Sequence, residues 1–268
     1  MNCYDVLFSS TRKLSRSLSA LVSRYAVAKG VAVGFATPEI AVDDFFFFFC
    51  IAKGSKHIRA ALSLVENKFP EDAIVLSRSA YECYVCAAYA KVKGIQGMDD
   101  LVYNPIGLSA GTVEFGRNRK GDQNYRILID RETRTIYDAA PTIERMASGT
   151  GNPDDAAVHR HFYRFASEHA HVNMIGSGNY RNGSRYTDRG TSQSPNAIFF
   201  IAYATVILGS LAVSNADADG DAKATIESDI RVAAQNIQAV LNLARSESSA
   251  DFDAAVDARI RMHLGNGA

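Results

Sequence analysis

The sequence predicts an all-α protein, a helical bundle of about six to eight helices with a small β-hairpin insertion. Three observations predict it. Apolar residues recur at three-, four- and seven-residue steps over most of the chain. Helix-opening signals of the Thr-Pro-Glu, Pro-Glu-Asp and Asn-Pro-Asp-Asp type precede several of those stretches. Alternating apolar and polar residues with turn signals are confined to one internal segment. The expected organisation is one bundle domain over 1–268, with residues 95–140 as a β-containing insertion within it.

Taken in order, Leu7, Leu14, Leu18, Leu21 and Tyr25 form the apolar stripe of a first helix, with Arg12, Lys13, Arg16 and Arg24 elsewhere on its surface. Thr37-Pro38-Glu39 opens a second, a cap followed by proline in the first turn. It contains Phe45 to Phe49. Five consecutive aromatics point around most of a helix, so enclosure on several sides is expected. Pro70-Glu71-Asp72 opens a third helix running to about Lys93, its acids placed to suit the helix dipole.

Helical character then stops. Residues 95–140 are rich in Gly, Asn and Arg, and 125–130 followed by 134–137 read as a hairpin. Asn152-Pro153-Asp154-Asp155 caps a fourth long helix, which carries a histidine cluster. Asn182-Gly183 marks a turn between short polar and aromatic arms. Ser194-Pro195 opens an apolar helix, 222–247 make another, and 250–264 form a short closing one.

The bulk numbers narrow the classes of function. The 268 residues are 47% hydrophobic and 22% charged, with a formal net charge of zero, so binding to a polyanion requires local asymmetry. Such asymmetry exists. Residues 117–135 carry six basic side chains against three acidic ones, and 217–257 carry nine acids against three bases. Cys3, Cys50, Cys83 and Cys86 are too few for a disulfide framework in a chain of this length. Cys83-x-x-Cys86 falls mid-helix with no second pair to complete a zinc site, so the expectation is buried free thiols. Ala197–Val213 is uncharged but short for a membrane span. It reads as a central buried helix, no membrane partner is expected, and the expected location is the cytoplasm.

Two stretches carry candidate chemistry. Arg78 and Glu82 are i,i+4 partners on the third helix. On the fourth, Arg164, Ser167, Glu168 and His171 fall at offsets of three, four and seven, which places them along one face. If the two helices are neighbours, Arg78, Glu82, Ser167 and His171 can meet as a polar cluster that either fixes helix register or does chemistry. Glu168-x-x-His171 has the spacing of one half of a di-iron site, but the second Glu-x-x-His that such a site needs does not occur in the sequence. Neither a metal nor another cofactor is expected.

Arg-x3-Glu followed two helices later by Tyr-Arg-x2-Ser-x3-His resembles a bacterial all-helical domain family of unknown function. The resemblance spans roughly 55–240 and is clearest over 70–93 and 155–215. More distantly the pattern is similar to HEPN-type helical domains, many of them metal-independent ribonucleases with an Arg four to six residues before a His. That resemblance implies Arg164 and His171 as the catalytic pair, with Arg78, Glu82 and Ser167 as positioning groups. It also implies RNA as substrate, a homodimer, and a toxin or phage-defence role. Histidine near its ordinary pKa can move a proton at a 2′-hydroxyl, and arginine can neutralise charge developing on phosphorus. Tyr180, Arg181, Arg185 and Tyr186 in the following loop are candidates for RNA binding by stacking and phosphate contact. The alternatives are a non-catalytic interaction or scaffold module, or a small-ligand sensor, in which the Arg-Glu-Ser-His cluster is structural.

Overall fold

In the computed structural model, residues 2–28, 42–170, 180–182, 185–186, 193–215, 220–244 and 250–264 are described. The long helices are α1 (Cys3–Ala28), α2 (Val42–Glu66), α3 (Pro70–Lys93), α7 (Asp155–Ala170), α8 (Ser194–Asn215), α9 (Gly220–Ala244) and α10 (Ala250–Arg261), with short α4 (Ile95–Met98), α5 (Asn104–Ala110) and α6 (Ile143–Ala147) between α3 and α7. This is an all-α bundle with a small β insertion.

Helix α8 sits at the centre because its sequence leaves no polar face. Fifteen of its residues, from Ala197 to Val213, are buried, and α1, α2, α3 and α9 pack around it. Among the described residues it is the one helix long and apolar enough to cross a membrane, and 78% of its apolar window is covered by the other helices. Thr205 is accommodated by donating its hydroxyl to the Ile201 carbonyl at 2.6 Å. Leu7, Leu14, Leu18 and Leu21 of α1 are buried as the stripe predicts, and Lys13 and Ser17 both bind the buried Asp229 carboxylate of α9. Gly54 of α2 permits a close approach to α8. A Cβ there would lie 2.6 Å from Leu208 and 3.3 Å from the Cys83 Cβ.

Several expectations need adjustment. The Phe45–Phe49 run is enclosed on several sides but not on all: Phe47 is buried and Phe46 and Phe48 pack against the core, whereas Phe49 is 49% exposed with the Lys53 ammonium 5.7 Å above its ring. The ammonium over the ring makes a cation–π contact at the surface, so full enclosure is unnecessary. Residues 95–110 remain helical as α4, a π-helical turn (Asp99–Tyr103) and α5. Their glycines concealed this, although only Gly94 and Gly111, which end α3 and α5, take positive φ there. The insertion's hairpin is a three-stranded antiparallel sheet, in which β1 (Val113–Arg117) and β3 (Ile136–Asp138) flank β2 (Gln123–Asp130). The insertion is tied to α3 where Tyr89 donates to the buried Asp100 at 2.7 Å. The arms about Asn182 pair as β4 (Arg181–Asn182) and β5 (Arg185–Tyr186). The Thr37-Pro38-Glu39 cap lies outside the described residues.

Candidate functional site between α3 and α7

The inward direction of α7 is set by Phe162 and Ala166, both fully buried. Tyr163 and Ser167, each one residue further on and four apart, therefore flank the core on the side facing α3. Arg78 meets them there. Its Nε–H donates to Glu82 Oε1 at 2.9 Å, one Nη1–H to Ser167 Oγ at 3.2 Å and one Nη2–H to Tyr163 Oη at 2.6 Å. The guanidinium carbon also stands 3.9 Å from the Tyr163 ring centroid, within cation–π range. Three of five guanidinium N–H groups are thus committed to side chains on two helices. The pair is half-buried, with the Arg78 and Glu82 side chains 20% and 28% exposed.

Two imidazoles border this network. His159, one turn before Tyr163, is buried, stacks on Tyr81 and packs 4.9 Å from the Tyr163 ring, with Nδ1 lacking a partner. Burial holds it below the ordinary imidazole range, with Glu144 pulling up and Arg78 pushing down. His57 on α2 is lowered by burial and Lys53, against the upward pull of the Ser79 backbone and Glu82. Both are therefore neutral at pH 7, and a neutral imidazole accepts a proton.

The predicted residues separate into groups. Arg78, Glu82 and Ser167 come together. Arg164 does not join them, because it lies about 200° round the helix from Phe162. Its side chain is 83% exposed, 3.7 Å from Glu168. His171 lies outside the described residues. Of the loop candidates, Tyr180 and Arg185 are exposed. Burial raises the Tyr180 phenol, as do Glu71 and Asp72 at the start of α3. The side chains of Arg181 and Tyr186 are outside the described set.

Sequence reasoning gave no role to Tyr163, although its offset of four from Ser167 carried the information. It also missed a second polar network. Asp155, fully buried at the start of α7, accepts from Tyr84 at 2.5 Å, Thr150 at 2.7 Å and Arg259 Nε at 3.1 Å, and Arg259 Nη2 donates to Tyr84 Oη at 2.7 Å. Arg259 comes from α10, more than a hundred residues away in sequence, and no local spacing reveals it. The thiols of Cys83 and Cys86 are pushed up by burial to about 11 and about 12, and Cys50 is raised further for the same reason. These are unreactive protonated thiols.

Fold and site together define a helical-bundle protein with an Arg–Glu–Tyr–Ser network joining two of its rods. Residues 44–187, from α2 through β5, match the model of a family of unknown function (DUF5677), and the chain belongs to that family. The match begins earlier and ends earlier than the 55–240 span read from the motifs. No curated protein and no solved structure matches the chain.

Proposed function

We propose that this chain is a HEPN-like, metal-independent endoribonuclease whose phosphate-binding group is Arg78 instead of Arg164. The observation that carries the proposal is the clamping of Arg78 by Glu82, Tyr163 and Ser167, which leaves two N–H groups uncommitted among the described residues, on an already oriented fork. A preorganised donor pair of this kind stabilises charge developing on a phosphoryl group without reorganising during the reaction. Arg78, Glu82, Tyr163 and Ser167, with Arg164 and with His171 four positions after Ser167, make up the Arg-x3-Glu and Tyr-Arg-x2-Ser-x3-His motifs.

In this reading His171 takes the proton of an RNA 2′-hydroxyl. The 2′-oxygen forms a bond to phosphorus, the P–O5′ bond breaks, and the leaving oxygen takes up a proton. Arg78 neutralises the non-bridging oxygens meanwhile. Arg164, on the adjoining exposed stripe, meets the RNA backbone as it enters, and a second copy of the chain completes the site. Synthetic single-stranded RNAs incubated with the protein in EDTA should yield fragments with 2′,3′-cyclic phosphate ends by mass spectrometry. Intact RNA across varied sequences would remove this proposal. A non-catalytic helix-joining module would remain, which the same Arg78 network also suits.

A further inference from the structure

The reaction read above needs a proton that neither of its assigned groups supplies. His171 takes the proton of the 2′-hydroxyl, and Arg78 gives none up, because a guanidinium is not deprotonated in proteins. The oxygen leaving phosphorus must still be protonated. Its donor has to stand against the phosphate, and therefore against the Arg78 fork.

Among the described residues, the fork is bonded to the side chains of Glu82, Ser167 and Tyr163. Glu82 is ion-paired at 2.9 Å, and a paired carboxylate has no proton to give. Ser167 accepts at 3.2 Å, but its aliphatic alcohol is no stronger an acid than the ribose alcohol that departs. Tyr163 differs. Its oxygen receives an N–H from Arg78 Nη2 at 2.6 Å, and since arginine can only donate, the phenolic proton points elsewhere. Nothing among the described residues accepts that proton. The ring is held in place, with the guanidinium carbon 3.9 Å from its centroid and the His159 ring 4.9 Å away. His159 itself is buried, whereas Tyr163 is only half-buried and so within reach of a substrate. The second hydrogen on the same Nη2 is one of the two uncommitted ones. A phosphate oxygen bound there stands next to the Tyr163 hydroxyl.

We infer that Tyr163 is the general acid of this site, an assignment that rests on the ribonuclease reading. As the 2′-oxygen bonds to phosphorus and the P–O5′ bond breaks, O5′ takes the Tyr163 proton. The phenolate left behind keeps its bond from Arg78, which is then charge-assisted on both sides, and water restores the proton. Two single-stranded RNAs of one sequence test this, one natural and one with sulfur in place of O5′ at the cleaved linkage. A thiolate departs without being protonated, so only the natural RNA needs the acid. Cleavage above the uncatalysed rate is measured in EDTA for the wild type and Tyr163→Phe. The variant should cleave the natural RNA at least about a hundredfold more slowly than the wild type, and the sulfur RNA less than about tenfold more slowly. Both rates come from one preparation of each protein, so any unfolded fraction cancels in their ratio. Equal slowing on the two RNAs, or none on the natural one, overturns the assignment of Tyr163 and leaves the ribonuclease reading standing. Cleavage of neither RNA by the wild type overturns both.

Discussion

Arg78 and Tyr163 are joined twice: the guanidinium lies over the tyrosine ring at 3.9 Å, and one of its N–H groups donates to that tyrosine's hydroxyl at 2.6 Å. One side chain therefore serves as both wall and acceptor for the arginine. The two contacts can be separated, since Tyr163→Phe keeps the ring and deletes the oxygen. The expected loss is about 1–2 kcal/mol, in the range for a hydrogen bond to a charged group, read as a lower urea midpoint. Ser167→Ala, which removes the longer bond, should cost less. A double-mutant cycle with Arg78→Ala should show coupling for both, because the groups share one partner.

The Asp155–Arg259 pair predicts a larger effect. Arg259→Ala leaves a fully buried carboxylate with only the Tyr84 and Thr150 hydroxyls, and removing one partner of a buried pair costs about 3–5 kcal/mol. Thermal denaturation should show a pronounced fall in Tm. Asp155→Leu with Arg259→Met, which removes both charges, should be milder than either single change.

Packing at Gly54 gives a third test. The methyl group of Gly54→Ala must displace Leu208, itself fully buried. Overpacking of this kind costs about 1–3 kcal/mol. Gly54→Ala with Leu208→Val or Leu208→Ala should recover part of that loss, as measured by chemical denaturation.

Stability should fall on mild acidification. Burial, aided by the charge of Arg259, lowers His263 to about 4, and His159 shifts in the same direction. Folded pKa values below the unfolded value near 6.5 mean that the unfolded chain binds the proton first. Their contribution is therefore complete above about pH 6.5 and is lost as pH drops toward 4. Urea midpoints at several pH values should slope downward over that window. His263→Asn should flatten the slope relative to the wild type, whatever it does to stability at pH 7.

Much of this fold was legible because helices declare themselves locally. Pro70 to Lys93 could be bounded from its proline, its acids and its final lysines, and the uncharged stretch from Ala197 could be placed centrally because no face of it suits water. The Arg78–Glu82–Ser167 grouping followed from i,i+4 spacing once two helices were assumed adjacent. Arg164 was a different matter. Offsets of three, four and seven place it on a stripe with Ser167 but do not say which edge of the stripe faces the core, and that was decided by Phe162 and Ala166. The Asp155–Arg259 pair depends on how the last helix folds back. The helices over 95–110 were hidden because Gly97 and Gly107 lie within them.

The central claim is that a clamped Arg78 serves phosphate chemistry and does more than join α3 to α7. Cleavage rates on labelled single-stranded RNA in EDTA, for the wild type and for Arg78→Lys, test it most directly. Lysine keeps the charge but loses the planar fork. The account predicts cleavage by the wild type and a loss of at least about a hundredfold in Arg78→Lys, the size expected for one preorganised donor, in a variant that still unfolds cooperatively. Equal rates in the two proteins, or no cleavage by either, would contradict it.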